Sequence, residues 1–239
     1  MVRRLERRSP LDPADRDALL GLPYNLKKLP ANAHIVRDGD KAEYCTLILS
    51  GFAYRYKLTG EGGRQIISFH CAAEFVDLQN SFLGIADHSV QMLTEGELAL
   101  IPAALLEELA LARPAIGRAL WIDTLIDASI FREWVVNVGR RDSRARVAHL
   151  LCEFSLRLEA AGLASNHQYE LPMTQEQLAD AVGLTSVHVN RVLKQLGEEG
   201  LIRRDRRSIT IVNWKRMRDA GDFNERYLHH DAMGAQQAA

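Results

Sequence analysis

Cysteine is scarce in this chain of 239 residues, and no CxxC pair occurs. The three cysteines, Cys45, Cys71 and Cys152, are widely spaced and odd in number, which excludes a disulfide framework and a four-cysteine metal site. An excess of charge of either sign is also missing, because 30 Lys and Arg residues stand against 31 Asp and Glu residues. The sequence therefore excludes a uniformly basic nucleic-acid coat, and its few cysteines are typical of a reducing compartment.

Long hydrophobic runs are missing as well. The best candidate for a membrane segment, residues 119–130, is too short to span a bilayer and contains Asp123 and Asp127. No apolar run of signal-peptide length follows the basic start Met-Val-Arg-Arg. We therefore expect a soluble cytoplasmic protein without a membrane partner.

Catalytic motifs are not found either. The sequence contains no GxSxG, no HExxH, no phosphate-binding loop and no His/Glu cluster with metal-ligand spacing. A catalytic site and a metal site are therefore not expected, and an enzyme remains only a remote alternative.

Charge is present in both signs but is unevenly spread. Residues 1–138 carry 15 basic and 18 acidic side chains, a net charge of −3, whereas residues 139–228 carry 15 and 12, a net charge of +3. An acidic front and a basic back suggest two modules, of which the second is a candidate for binding a polyanion.

The texture of the sequence changes along the chain and predicts an α+β fold. We expect an N-terminal arm with a short helix, in which Arg3, Arg4, Arg7 and Arg8 are solvated. Short β-like segments separated by glycine turns predict a small sandwich or barrel. We place strands within 34–37, 46–58, 64–69, 90–93 and 98–101, and a loop at 166–170. The predicted domains are 1–21, the β-rich domain 22–113, a long helix 114–138, a second domain 139–228 and a flexible tail 229–239.

The long helix carries two apolar stripes at helical spacing, although a surface helix needs only one. Two stripes indicate a helix covered on two sides, by its own β-rich domain and by a second copy of itself; burial in a single core is the alternative. The first stripe contains Ala119, Ile122, Ile126 and Ile130, which we predict as residues of the dimerisation helix, and the second contains Trp121, Leu125, Ala128 and Trp134.

Residues 171–212 contain the strongest pattern in the chain. Thr174 and Gln177 form a capping-box pair before an apolar run, and Gly183 closes that short helix. Thr185 is a good N-cap for the next helix, predicted over 186–196. Two short helices joined by a glycine-containing turn are typical of a helix-turn-helix. Two core helices beside a surface hairpin are the alternative interpretation.

The second helix of this pair carries side chains that suit the edges of DNA bases. Arginine can donate two hydrogen bonds to guanine, asparagine can pair with adenine, and valine can contact a thymine methyl group. The basic hairpin predicted over 200–212 resembles a wing that contacts phosphates. We predict base contacts from Ser186, Val187, Asn190 and Arg191, and backbone contacts from Thr174, Gln175, Lys194, Arg206 and Arg207.

These segments resemble the Crp/Fnr transcription regulators over about residues 22–228. The resemblance is carried by Leu-Ile-Leu-Ser-Gly-Phe at 47–52, Ala-Glu-Phe-Val-Asp-Leu at 73–78 and the helix-turn-helix at 174–193. It implies a jelly-roll-like β-roll of the cyclic-nucleotide-binding type, a long dimerisation helix and a C-terminal winged helix-turn-helix. It also implies a homodimer on two-fold operator DNA that contacts RNA polymerase.

The candidate effector pocket departs from the cyclic-AMP-binding members of that family. Glu74 matches their ribose-binding glutamate, but Ala73 replaces the glycine, and His88 and Ser89 stand where the phosphate-binding Arg-Ser is expected. A phosphate beside Glu74 without a permanent cation would be an unpaired buried charge. We therefore expect no cyclic nucleotide in a pocket formed by Glu74, His88 and Ser89.

Other family cofactors fit the sequence no better. The N-terminal cysteine cluster that holds an iron–sulfur cluster in oxygen-sensing members is missing, since the first cysteine is Cys45. His70 and Cys71 lie where haem-binding members place axial ligands, so haem or redox sensing through them or His88 stays open as an alternative. The sequence does not indicate the effector, the target genes or whether transcription rises or falls.

Overall fold

The computed structural model describes residues 1–230, which fold as two compact units. The first unit combines residues 1–57, 69–130 and 228–230. The second unit combines residues 58–68 and 131–227. The last nine residues of the predicted tail, 231–239, lie outside the described part of the chain.

Two antiparallel sheets form the β-roll of the N-terminal half and confirm the predicted α+β fold. One sheet has the strand order β1-β7-β3 and the other has the order β2-β6-β4-β5. Cys45 and Leu47 of β3 are buried opposite Ile101 and Ala99 of β7. The elements are α1 (Val2–Glu6), α2 (Pro13–Leu20), β1 (Asn25–Leu29), β2 (His34–Val36), β3 (Tyr44–Ile48), β4 (Ala53–Leu58), β5 (Arg64–His70), α3 (Leu78–Leu83), β6 (Ser89–Met92), β7 (Gly96–Pro102) and α4 (Ala103–Ala112).

The N-terminal arginines are not all solvated, which corrects the sequence-based expectation. Leu5 of α1 is fully buried in the core of the first unit, together with Leu47, Ile116 and Leu120. This anchoring turns Arg4 and Arg8 toward carboxylates of the first unit. The two partners of Arg4 are 70 and 119 positions away in sequence. The sequence near the N-terminus therefore gives no sign of these contacts and resembles that of a free terminus.

A single helix, α5 (Pro114–Arg140), runs from the first unit into the second. Its 27 residues correspond to a length of about 40 Å. Of the predicted dimerisation residues, Ala119, Ile126 and Ile130 are 0%, 5% and 9% exposed within the chain and have almost no area left for a second copy, whereas Ile122 is half-buried. In the second stripe Trp121 and Leu125 are 69% and 51% exposed and Ala128 is exposed as well, whereas Trp134 is buried at 5%.

The second unit contains a three-helix core and a small sheet of order β8-β10-β9. Residues 166–170, predicted as a loop, include strand β8, because Tyr169 pairs with Ile209 and its hydroxyl donates to the carbonyl of Leu151 at 2.8 Å. The elements are α6 (Ser143–Ala160), β8 (Gln168–Glu170), α7 (Gln175–Val182), α8 (Ser186–Glu198), β9 (Ile202–Asp205), β10 (Ser208–Ile211), α9 (Trp214–Ala220) and a 3-10 helix (Glu225–Leu228).

Candidate nucleic-acid interface and effector region

Helices α7 and α8 begin at the residues that the sequence predicted. The Thr174 hydroxyl accepts from the Gln177 amide at 3.2 Å, and the Gln177 side chain accepts from the Thr174 amide at 2.9 Å. Gly183 ends α7 with a φ of 64°, a left-handed conformation that favours glycine. Thr185 caps α8 by accepting from the His188 amide at 3.3 Å. These caps fix the angle at which α8 leaves the turn.

One face of α8 packs on the core and the opposite face is open to solvent. Val189, Val192, Leu193 and Leu196 are at most 3% exposed. The opposite face brings together all the predicted base-contacting residues, with Val187 69% exposed. Its exposed residues are Ser186, Val187, Asn190, Arg191 and Lys194. Such an exposed face offers donors, an acceptor and a methyl-sized apolar contact to a groove.

The predicted backbone-contacting residues lie at the ends of this face and on the hairpin. Thr174 is exposed at the start of α7, where its hydroxyl proton remains available to a phosphate oxygen, and Gln175 is half-buried. Lys194 is exposed but lies 3.6 Å from the Glu198 carboxylate. Arg206 and Arg207 form the exposed turn between β9 and β10, and Arg206 has a φ of 50°.

In the first unit, Glu74 already has a cation beside it. The Arg4 guanidinium lies 3.0 Å from Glu74 Oε1, and the Cys71 amide donates to Oε2 at 3.3 Å. The Glu74 carboxylate is nearly fully buried, and so is His70, whose Nδ1 lies 3.3 Å from Oε2. The sequence indicated no permanent cation for a phosphate in this region; α1 supplies Arg4, but its guanidinium is already paired with Glu74 and Asp123.

Asp123 of α5 joins the two N-terminal arginines. Arg4 Nε and Arg8 Nε both lie 3.1 Å from Asp123 Oδ1, and the carboxylate is only 7% exposed. Burial lowers the pKa of Arg8, and the negative charge of Asp123 opposes this shift. The two arginines thus connect α1 to Glu74 and to the long helix.

Besides Arg4 and Arg8, the first unit contains a buried arginine on β4, Arg55. Its role was not predicted from the sequence. Its Nε donates to the Val76 carbonyl at 2.8 Å, and its guanidinium forms an ion pair with Asp127 of α5. The detectable signals were an arginine between two tyrosines in an apolar strand and an aspartate inside an apolar helix. Arg4, Arg8 and Arg55 are therefore matched by Glu74, Asp123 and Asp127, which we call the arginine–carboxylate cluster.

Of the other predicted pocket residues, His88 is linked through Gln79 to Arg55 of the arginine–carboxylate cluster, whereas Ser89 bonds to a loop backbone amide. His88 is buried, with Nδ1 2.6 Å from Asp87 Oδ1 and Nε2 3.4 Å from Gln79. Ser89 Oγ accepts from the Asp38 amide at 3.1 Å. Burial lowers the pKa of His88, as it lowers the pKa of His70 to about 4, so both imidazoles are neutral at pH 7.

The replaced glycine of the effector region has a backbone consequence. Ala73 has a φ of 68°, a conformation that glycine adopts freely and alanine does not. Its amide donates to the Ile48 carbonyl at 2.8 Å, which holds the turn against β3. The turn shape therefore persists with alanine in the place of glycine.

The three cysteines are buried, and none forms a disulfide in the part of the chain that the structure describes. Burial raises the pKa of Cys45 and of Cys152, which disfavours the reactive thiolate. Within residues 1–230, no group of three His, Cys, Asp or Glu side chains is arranged to hold a metal ion. No helix in that part of the chain combines the length and hydropathy needed to cross a bilayer.

Two domain families match the chain. Residues 26–113 match the cyclic nucleotide-binding domain, and residues 145–220 match the Crp-like helix-turn-helix domain. Together they cover the β-roll and the second unit's helical core with its wing.

Several relatives match over most of the chain. A FixK nitrogen fixation regulation protein of Rhizobium meliloti is 29% identical over 192 residues, covering 77% of this chain and 81% of that protein. The transcriptional activator protein FnrL of Cereibacter sphaeroides is 26% identical, covering 82% and 80%. The solved structure of FixK2 from Bradyrhizobium japonicum has a TM-score of 0.77 at 26% identity and covers 83% of this chain and 98% of that one.

Proposed function

Since the chain belongs to the Crp/Fnr family of DNA-binding transcription regulators, we propose that it reads two-fold operator DNA as a homodimer. The single observation that supports this most is the exposed face of α8, on which Ser186, Val187, Asn190 and Arg191 lie together. Arg191 donates to guanine, Asn190 pairs with adenine, and Val187 contacts a thymine methyl group. Thr174, Gln175, Lys194, Arg206 and Arg207 contact the backbone phosphates.

Selection of bound duplexes from a random pool tests this proposal. The expected product is a pair of inverted half-sites centred about one helical turn apart, as a two-fold dimer requires. Arg191→Ala should lose about 1–3 kcal/mol of discrimination at one base pair of each half-site. Arg3→Ala, which removes the same charge from an exposed position in the first unit, is the matched control. An unchanged footprint and selected sequence for Arg191→Ala would remove Arg191 from the base contacts.

We propose that the dimer forms along α5, through the stripe that the fold leaves exposed. Trp121 and Leu125 are 69% and 51% exposed, Ala128 is exposed as well, and the three follow the four-and-three spacing of a coiled-coil seam. The proposed interface differs from the one predicted on Ala119, Ile122, Ile126 and Ile130, of which only Ile122 is not buried by its own chain.

Leu125→Glu should convert the dimer to a monomer, because it places a charge in the centre of the seam. Light scattering after gel filtration measures the mass directly. Leu111→Glu, at a leucine that is 78% exposed near the end of α4, introduces the same change away from the stripe and should remain dimeric. A dimeric Leu125→Glu variant would place the interface elsewhere.

We also propose that the DNA-bound dimer contacts RNA polymerase and performs no catalysis. The support is the name "transcriptional activator" that relatives of this length carry. The test is a gel-shift assay on the selected operator placed upstream of a promoter. A slower complex with polymerase that depends on the operator is expected, and independent binding of the two proteins would contradict the contact.

Cyclic nucleotide does not fit the effector region, and we propose that this protein does not use it. The Glu74 carboxylate already accepts from Arg4 and from the Cys71 amide, so it is not available to a ribose. We also propose that the protein binds neither an iron–sulfur cluster nor haem. The cysteines that would hold a cluster are buried, and His70, the candidate haem ligand, lies against Glu74. A thermal shift with cyclic AMP, or a Soret band in the purified protein, would instead favour the effector-gated alternative.

A further inference from the structure

The first nine residues consist of α1 and the turn that follows it, and we call them the N-terminal segment. Leu5 anchors this segment, because it is fully buried in the apolar cluster that also contains Phe75 and Leu120. A helix of five residues is too short to be stable in water by itself. The helical form and the position of the segment therefore depend on its contacts with the rest of the first unit.

Arg4 joins two parts of the first unit that are distant in sequence. Its Nη1 lies 3.0 Å from Glu74 Oε1 at the turn after β5, and its Nε lies 3.1 Å and 3.2 Å from the two oxygens of Asp123 on α5. A guanidinium is planar and carries five donors in a fixed fork, so one arginine can hold two carboxylates at a set separation. Arg8 adds a second donor to Asp123 at 3.1 Å and donates to the His229 carbonyl at 3.2 Å. The segment therefore fixes the Glu74 turn relative to α5, as a bound ligand would.

The charge balance of the arginine–carboxylate cluster depends on this segment. With the segment in place, three guanidinium groups face three carboxylates. Without it, Arg55 alone would remain of the three arginines of the cluster, although Glu74 and Asp123 are only 5% and 7% exposed. Buried carboxylates that lose their cations take up protons, take up water or move apart. The position of α5 against the Glu74 turn should therefore change when the segment leaves.

The segment in this position leaves both proposed functional surfaces open. Trp121 and Leu125 lie on either side of Asp123 in sequence and are 69% and 51% exposed. On α8, Val187 is 69% exposed. An autoinhibitory segment would cover the dimer seam or the DNA-contacting face, whereas this one leaves these side chains exposed. The arrangement therefore suits the form of the protein that dimerises and binds DNA.

We propose that the N-terminal segment is a built-in ligand of the effector region. By joining Glu74 to Asp123, it holds α5 in the position that dimerises, so that the protein binds its operator with no small molecule present. This role rests on the proposed function, since operator binding by a dimer is what the segment would support. Arg4 and Arg8 are thus positioning residues, which affect DNA binding through α5.

Chemical rescue of Arg4→Ala tests the proposal on the full chain. The substitution removes the guanidinium but keeps Cβ, so ethylguanidinium supplies the atoms that are missing. We expect Arg4→Ala to bind the selected operator at least tenfold more weakly than the wild type and to be more monomeric, as measured by fluorescence anisotropy and light scattering. Added ethylguanidinium should restore most of the affinity, whereas ethylurea, which has nearly the same shape but no charge, should not. The variant would then be a regulator that depends on a small cation.

Two controls separate this role from a general loss of stability. Arg3→Ala removes the same charge from an exposed position of α1 and should bind as the wild type does. Met92→Ala opens a void in another apolar cluster of the first unit, so it should lower stability but keep the operator affinity while the protein is folded. Circular dichroism shows whether each variant is folded during the titration. If Arg4→Ala does not fold, Arg4→Lys keeps the charge without the fork and should show a smaller loss in the same direction.

The outcomes distinguish the built-in ligand from its alternatives. A folded Arg4 variant with the operator affinity of the wild type would overturn the proposal. Tighter binding by that variant would also overturn it, because the segment would then be autoinhibitory. Equal effects of ethylguanidinium and ethylurea on Arg4→Ala would exclude the charge pairing on which the role depends. If the wild type itself binds no duplex from the random pool, the proposed function fails instead.

Discussion

Arginine has opposite surroundings in the arginine–carboxylate cluster of the first unit and on the exposed α8 face and hairpin of the second. In the first unit Arg4, Arg8 and Arg55 lie beside Glu74, Asp123 and Asp127, and the side chains of Arg8 and Arg55 are only 9% and 8% exposed. In the second unit Arg191, Arg206 and Arg207 are exposed on α8 and its neighbouring hairpin. The same residue type therefore stabilises an internal arrangement in the cluster and remains available to a polyanion on α8 and the hairpin, although the second unit also has buried, paired arginines such as Arg141. Composition alone does not separate the two uses.

The difference follows from the cost of burying charge. A guanidinium removed from water needs a carboxylate and hydrogen bonds to offset its desolvation, and the first unit provides both. An exposed guanidinium keeps its hydration until a phosphate or a base replaces the water. Substitutions in the arginine–carboxylate cluster should therefore change stability strongly, whereas substitutions on the exposed hairpin should change DNA binding modestly.

The largest effect is expected at Asp123, which serves two buried or half-buried arginines. Asp123→Ala leaves Arg4 and Arg8 without this acceptor and should lower the free energy of unfolding by about 3–5 kcal/mol. Urea denaturation measures the change. Asp38→Ala is the control, because the Asp38–Lys57 pair is about half exposed on both sides, and such pairs contribute roughly 0–1 kcal/mol. Similar losses for the two variants would show that the arginine–carboxylate cluster does not behave as a buried one.

A slightly smaller effect depends on pH and concerns Asp77. Burial raises the pKa of the Asp77 carboxyl from 3.8 to about 6. The folded chain therefore binds the proton of this carboxyl more tightly than the unfolded chain does. The contribution of Asp77 to stability is therefore present at low pH and is lost as pH rises from about 4 through about 6. At about 1.36 kcal/mol per pH unit, the loss amounts to about 3 kcal/mol.

Asp77→Asn should remove this loss and keep the acceptor for the Thr46 amide. Between pH 4 and pH 7 the variant should therefore gain stability relative to the wild type. The gain in free energy of unfolding should be about 3 kcal/mol. His70, whose pKa is lowered to about 4, has the opposite pH dependence, but it is common to both proteins and cancels in the difference. Urea titrations across this range measure it, and a constant difference would contradict the raised pKa.

The smallest effect is expected at the hairpin turn. Arg207→Ala should weaken operator and random DNA by the same factor, because a phosphate contact carries no sequence information. The slope of log affinity against log salt should become shallower by about 1. Fluorescence anisotropy at several salt concentrations measures both, with Arg3→Ala as the control. A loss confined to the operator would assign Arg207 to base contacts instead.

Patterns that depend on neighbouring residues were predictable from the sequence. The capping pair Thr174–Gln177, the turn at Gly183 and the alternation of buried and exposed positions along α8 all appear where expected. Each is set by hydrogen bonds or packing within a few residues, and local chemistry decides them. The same holds for β3, β4 and β7, whose β-forming residues are interrupted by glycine turns.

Features that depend on distant partners were not predictable. Strand β1, with the sequence Asn-Leu-Lys-Lys-Leu, has no alternating burial and forms only because β7 pairs with it. The pairing of Arg4 with Asp123 joins positions 119 residues apart. On α5, both stripes have helical spacing, and only the packed fold distinguishes the covered Ile126 from the exposed Leu125.

The attachment of α1 has a practical consequence. The cation beside Glu74 belongs to the same polypeptide, so dialysis, gel filtration and dilution leave it in place. Its local supply is fixed by the chain itself and does not follow the level of any metabolite. Purification therefore does not remove the cation that is paired with the Glu74 carboxylate.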